Sequence, residues 1–196
     1  MSRYGANSAF AELVEQFSKL PGIGQRSAER ISFHLLRQSK DEALALAESI
    51  RRFKQDLKAC RICGNVTETD PCPICRDERR ENTILVVEQP SDILSIEQTG
   101  SYRGRYHVLM GRLAPMENLH PGELNLAPLI DRVKAGDVSE VIIATNPTLE
   151  GDGTAMYLAD EIQKLNVKVT RLARGMPAGS DLKMLSKAVL SDAIQG

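Results

Sequence analysis

The chain has 196 residues, 42% hydrophobic and 26% charged, with no Trp; that is apolar material for one sizeable domain or two small ones, and too much for a disordered tail. A formal net charge of −1 excludes strong attraction of the whole molecule to a polyanion, and no apolar run is long enough to suggest a membrane span. The charge is uneven: residues 1–61 hold 11 Lys and Arg against 7 Asp and Glu, and residues 81–196 hold 11 against 15, so any nucleic-acid contact is expected of the N-terminal part. Met1 to Phe10 lack the continuous apolar stretch of a secretory signal, which makes a cytoplasmic location the expectation.

Phe10, Leu13, Val14, Phe17 and Leu20 recur at three and four residues, as do Ala28, Ile31 and Leu35, and this predicts two helices. Between them lies Leu20-Pro21-Gly22-Ile23-Gly24. Gly22 and Gly24 allow a tight turn with exposed N–H groups, and Arg26 and Arg30 follow one helical turn apart. Free N–H groups and the positive end of a helix dipole attract an anion without reading base identity, so the expected ligand is nucleic-acid backbone. The same turn also serves simply to join two packed helices. A third helix is predicted over Asp41–Leu57, with Leu44, Leu46, Ala47 and Ile50 among charges; Arg51, Arg52, Lys54 and Lys58 at its C-terminal end complement the dipole.

Cys60-x2-Cys63 and Cys72-x2-Cys75 form two chelating pairs. In a reducing compartment such pairs read as a metal site, and four soft thiolates suit one tetrahedral Zn(II). A closed four-sulfur shell leaves no position for water, so the ion is structural. Gly64, Asp70, Pro71 and Pro73 punctuate the segment, and the metal replaces a core it cannot make. An iron–sulfur cluster is the other thiolate-bound group this pattern admits.

Beyond the cysteines the pattern changes. Thr83–Val87 is a continuous apolar run of the kind found in strands buried on both faces, and Tyr106–Met110, Glu140–Ala144 and Val167–Leu172 read as further strands. Helical stretches near Ser91–Gln98, Leu124–Val133 and Thr154–Leu165 alternate with them, which predicts an α/β domain with a parallel sheet. Chemistry in such sheets gathers at the carboxyl ends of strands, and this places Glu88 and the segment Asn146 to Gly153 in one cleft with Glu150 and Asp152. Paired carboxylates there suit Mg(II) and phosphoryl transfer. His34, His107 and His120 form no coherent site, and the loop with Gly100, Tyr102, Arg103, Gly104, Arg105 and Tyr106 reads as a mobile segment able to stack on bases or face solvent.

Val86-Val87-Glu88 with Asn146-Pro147-Thr148-Leu149-Glu150-Gly151-Asp152 resembles the Toprim domain of topoisomerases and primases. That family's Asp-x-Asp-x-Glu-Gly-Glu falls here on Asn146 and Thr148 in place of its two aspartates, with the acids Glu150 and Asp152 retained. The metal site looks dismantled, and Mg(II) is not expected to bind well. The order of hairpin, four-cysteine knuckle and Toprim-like domain resembles the RecR family of bacterial recombination mediators along essentially the whole chain. The resemblance rests on Leu20-Pro21-Gly22-Ile23-Gly24, Ser27-Ala28-x-Arg30, Cys60 to Cys75, Tyr106-His107-Val108-Leu109 and Thr145 to Gly151.

What the resemblance implies is a non-enzymatic DNA repair protein that forms a homo-oligomer, a dimer or a tetrameric ring. It would bind single- and double-stranded DNA and act with RecO, and sometimes RecF, to load RecA at gaps. Lys19, Gly22, Gly24, Arg26 and Arg30 take the family's DNA-contact positions, Glu88 and Glu150 its RecO-facing surface, and Phe10, Val14 and Phe17 a subunit interface. The implied fold is α/β with an N-terminal all-α unit: a helix-hairpin-helix unit over 1–57, a four-cysteine zinc finger over 58–78, a Toprim-like α/β domain over 79–174, and a Gly-containing loop with a C-terminal helix over 175–196. After Gly175-Met176-Pro177-Ala178-Gly179 the chain continues Leu182-Lys183-Met184-Leu185-Ser186, which departs from the family's acidic pattern and lacks a phosphate-loop ending, so ATP is not expected. That loop is read as a connection into a last helix, Asp181–Ile194. The other reading is a magnesium-dependent Toprim nuclease or primase-like enzyme.

Overall fold

The computed structural model describes residues 9–117, 119–173, 175–176 and 179–195, in two units divided after Leu57. In the N-terminal unit, α1 (Ala9–Ser18) and α2 (Gln25–Arg37) pack on each other as the apolar spacing requires. Val14 and Ala28 are buried inside the unit, and Phe10 packs against Phe33 with tilted rings whose centroids are 4.6 Å apart. α3 (Lys40–Asp56) starts one residue before its predicted position, because Ser39 and Glu42 close a capping box. It buries none of its residues. Leu44, Ile50 and Phe53 on this helix are exposed, as is Leu36 on α2.

The second unit opens with the cysteine knuckle, a two-residue antiparallel pair, β1 (Lys58–Ala59) and β2 (Val66–Thr67), followed by the single turn α4 (Pro73–Arg76). A four-stranded parallel sheet follows: β3 (Thr83–Val87), β4 (Arg105–Val108), β5 (Glu140–Ala144) and β6 (Lys168–Arg171), in spatial order β4-β3-β5-β6. The run of β3 is apolar throughout because both faces are covered. Ile84 and Val86 join Val141, Ile143, Leu129, Leu158 and Ile162 in one core, while Leu85 and Val87 meet Ile93, Tyr106 and Val108 in the other. The helices are α5 (Pro90–Thr99), α6 (Ala127–Lys134), α7 (Leu149–Gln163) and α8 (Lys187–Gln195).

Several predicted boundaries are corrected. α7 begins at Leu149, five residues before the predicted Thr154, because the Thr148 hydroxyl accepts the Gly151 N–H at 3.1 Å and caps it. Five of the eight residues of the predicted cleft segment, Asn146 to Gly153, are therefore helix. Pro121–Glu123 is a short 3-10 turn, and α6 starts only at Ala127 with Pro128 in its first turn. The last predicted helix divides into a 3-10 turn, Leu182–Met184, and α8. Arg174, Pro177 and Ala178 of the Gly-containing loop lie outside the described residues.

The tyrosines expected on a mobile loop belong to the fold. Tyr102 and Tyr106 pack edge to face at 5.1 Å, the Tyr102 hydroxyl donates to the Arg105 carbonyl at 3.0 Å, and that of Tyr106 donates to Glu97 at 2.7 Å. Arg80 clamps Glu97 with bonds of 2.6 and 2.8 Å and donates to the Gly104 carbonyl at 3.1 Å. Neither ring is free to stack on a base.

Candidate functional site

Three groups of residues bear on function, and the first is the hairpin between α1 and α2. Its turn is closed by the Ile23 N–H on the Leu20 carbonyl at 3.1 Å. Gly22 takes φ +78°, the left-handed region that glycine occupies without strain, whereas Gly24 is extended and serves as the N-cap of α2. No side chain caps α2, so its first N–H groups stay open at the positive end of the dipole. A Cβ on either glycine would meet nothing within 4 Å beyond its chain neighbours, so this side of the turn is open to an approaching ligand backbone. Arg26 and Arg30 are exposed and form no ion pair among the described residues. Lys19 differs: its ammonium lies 2.9 Å from Glu15.

The second group is the cysteine knuckle. Ligand atoms of Cys60, Cys63, Cys72 and Cys75 all lie within 4.8 Å of one another, and the sulfurs of Cys63 and Cys72 are 3.6 Å apart. Tetrahedral zinc with Zn–S bonds of about 2.3 Å needs sulfur pairs roughly 3.8 Å apart. The cluster fits one ion, and all four side chains are thiols, not disulfides. Backbone N–H groups of Asn65, Cys72 and Cys75 donate to the sulfurs of Cys63, Cys60 and Cys72 at 3.5, 3.3 and 3.4 Å. Crowding separates the acidities: the hydrogen bond with Cys72 raises the Cys63 thiol, and the same bond lowers Cys72. A dication that replaces the protons removes this conflict, so the donor set suits Zn(II) on electrostatic grounds as well.

Third is the cleft at the carboxyl ends of β3 and β5, where the sheet brings together Glu88 and Asn146. Glu88 is only 5% exposed. Its two oxygens accept the backbone N–H and the side-chain amide of Asn146, each at 2.8 Å. At the position where the Toprim resemblance puts an aspartate, the amide donates to Glu88 and stabilises its charge by hydrogen bonding. Asp152 is also engaged, accepting from Arg171 at 2.6 Å. Glu150, in the first turn of α7, is half-buried. Nothing in the spacing of the sequence distinguished these three acids.

Gly151 holds the turn shut. A Cβ there would collide with the Asn146 carbonyl oxygen, so the loop must open to admit one. Gly151→Ala is expected to destabilise the α/β domain by about 1–3 kcal/mol, as read from urea unfolding followed by circular dichroism. An unchanged midpoint would show that the loop gives way at no cost.

These features recur in known proteins. A RecR helix-hairpin-helix model matches residues 10–54, a RecR zinc finger model of the four-cysteine type matches residues 57–77, and a Toprim domain model matches residues 82–173. A recombination protein RecR of Rhodopirellula baltica is 51% identical over 193 residues, 98% of this chain and 97% of that protein. One of Bifidobacterium adolescentis is 46% identical over 191 residues, covering 97% and 96%. One of Rubrobacter xylanophilus is 48% identical over 185 residues, covering 94% and 93%. With a hairpin, a four-cysteine centre and a Toprim domain in this order, and with such likeness from end to end, the chain belongs to the RecR family of recombination proteins.

Proposed function

We propose that the protein is a DNA-binding recombination mediator, a non-enzymatic clamp subunit that acts in DNA repair with RecO, and with RecF where it takes part, to load RecA onto single-stranded DNA at gaps. The observation that carries this reading is the hairpin: N–H groups at the start of α2 that no side chain caps, flanked by Arg26 and Arg30, which form no ion pair among the described residues, make a cradle for phosphate and offer nothing to read a base. Gly22 and Gly24 admit the DNA backbone, and Lys19 assists once released from Glu15. Both single- and double-stranded DNA present the required phosphates.

Catalysis is no part of this role. Glu88, the one acid at the end of β3, is occupied by Asn146, which favours an adaptor over a magnesium-dependent nuclease or primase-like enzyme. RecO is met through the acidic end of the sheet, directly at Glu150, with Glu88 holding the adjoining loop in shape. Self-assembly into a dimer or tetrameric ring is favoured by the N-terminal unit, where an apolar groove of about 370 Å³ is lined by Phe10, Leu13, Phe17, Leu36, Leu46 and Ile50, with Leu36 and Ile50 exposed. Among the described residues no helix is long and apolar enough to cross a membrane, and a cytoplasmic site of action follows from the role. One zinc ion is the only cofactor in this reading; neither Mg(II) nor ATP takes part.

The test is titration of labelled single-stranded and gapped DNA at several salt concentrations. Arg26→Ala with Arg30→Ala is expected to weaken binding at low salt by about tenfold or more and to reduce the slope of log affinity against log salt by about 2, one for each lost phosphate contact. Unchanged affinity and slope would overturn the hairpin as the DNA site. Multiple-turnover cleavage or synthesis with Mg(II), lost in Glu88→Gln, would instead establish the enzyme.

A further inference from the structure

The outer edge of β4 is an open edge of the sheet, and such an edge invites pairing with another chain unless it is covered. Here three groups cover it. The Val108 N–H donates to the Cys63 carbonyl at 2.7 Å, the Val108 carbonyl accepts from the Asn125 amide at 3.0 Å, and the Tyr106 carbonyl accepts from a guanidinium nitrogen of Arg132 at 2.8 Å. Tyr106 and Val108 are two residues apart on one strand, so their outward groups are about 7 Å apart. The knuckle therefore holds one position of the edge, and the Arg132 guanidinium, reaching over from α6, holds the neighbouring one.

Zinc with four thiolates carries a formal charge of −2, held by three buried cysteines, Cys60, Cys63 and Cys72, and one half-buried, Cys75. Three N–H···S bonds disperse part of that charge, but a buried dianion requires a cation nearby. No carboxylate pairs with Arg132 among the described residues. Burial pushes its guanidinium down, while the charges of Cys75, Cys63 and Cys60 hold it up and that of Arg105 opposes them. The neighbouring His107 is no substitute, since burial lowers it to about 4 and keeps it neutral.

We infer that Arg132 is the counter-cation of the zinc centre, a positioning residue supplied by the sheet domain that lowers the nucleophilicity of the thiolates and thereby retards loss of the metal. It acts through the ligands and touches no substrate. The same edge of β4 carries both partners: Val108 holds the Cys63 carbonyl, and two residues earlier Tyr106 holds the Arg132 guanidinium. An outer partner of this kind typically changes metal affinity by about 10- to 100-fold.

The experiment uses the full-length zinc-loaded protein. Metal analysis first reports zinc per chain; a wild-type protein without zinc would refute the four-cysteine reading and this inference together. Zinc release is then followed with a metallochromic indicator after addition of excess chelator, and separately after N-ethylmaleimide, for wild type, Arg132→Gln, Arg132→Lys and Arg105→Gln. Arg132→Gln is expected to release zinc about tenfold faster or more in both assays. Arg132→Lys, which keeps the charge and loses the fork, is expected to stay within about threefold of wild type, and Arg105→Gln is expected not to accelerate release. Hydrogen exchange over β3 and β5 verifies that the sheet is intact in each variant. Equal rates in Arg132→Gln and wild type would overturn the inference. So would an Arg132→Lys protein as fast as Arg132→Gln, because packing and not charge would then be what matters.

Discussion

Replacement of Cys63 by Ser is expected to reduce the zinc content from one ion per chain to nearly none and to unfold residues 58–78 while the parallel sheet remains folded. The reason is the poverty of this segment without metal. Its regular structure is two residues in each of β1 and β2 and one turn in α4, and its core beyond the cysteines consists of Ile62 and Ile74. Apparent zinc-binding free energies of about 10–16 kcal/mol in comparable fingers are folding free energy, and a hydroxyl cannot replace a thiolate in the set. Cys63 is also the residue whose carbonyl covers the Val108 N–H. Its loss uncovers the edge of β4, so the variant is further expected to assemble incorrectly and to aggregate. Metal analysis, hydrogen exchange over 58–78 and mass measurement in solution read the three effects separately. A zinc-free variant that keeps its amide protection and its normal oligomer would sink this account, and any loss of DNA binding should appear only together with the assembly defect.

Asn146→Asp tests the cleft from the opposite direction, by restoring the acid that a Toprim metal site requires. The substitution removes a donor at 2.8 Å from a nearly buried carboxylate and places a like charge against it. A hydrogen bond to a charged group contributes about 1.5–3 kcal/mol, and the repulsion adds to its loss, so the variant should be at least about 3 kcal/mol less stable in metal-free buffer. Millimolar Mg(II) should recover much of that stability, since the introduced carboxylate and Glu88 would then form a pair of hard oxygen ligands. Wild type should show no such response. Urea unfolding with and without Mg(II) gives both numbers. Should the variant match wild type in metal-free buffer, the amide of Asn146 would not be what stabilises Glu88.

Part of this architecture is legible in the sequence. Local patterns were read well. The cysteine spacing identified the zinc centre, the three- and four-residue recurrences identified α1 and α2, and the apolar run of β3 announced a strand covered on both faces. Each depends on residues close in sequence, where geometry follows from the repeat of a helix or the reach of a chelating pair. Helix ends were read less well, because a single cap such as Thr148 moved α7 by more than a turn.

The sequence by itself determined the order of parts, the donor set for zinc, and the exchange of Toprim aspartates for Asn146 and Thr148. Only the tertiary structure decided which charges are left to act. Lys19 is paired with Glu15, Asp152 with Arg171 and Glu88 with an amide 58 residues away, whereas Arg26 and Arg30 form no ion pair among the described residues. It also decided that the tyrosines of the predicted mobile loop are core, that α3 keeps its apolar face exposed, and that Arg132 covers the edge of β4 next to the position held by the Cys63 carbonyl. The physical reason is the same throughout: a side chain's partner is set by strand register and by which edge of the sheet is open, and these are established between residues far apart in the chain.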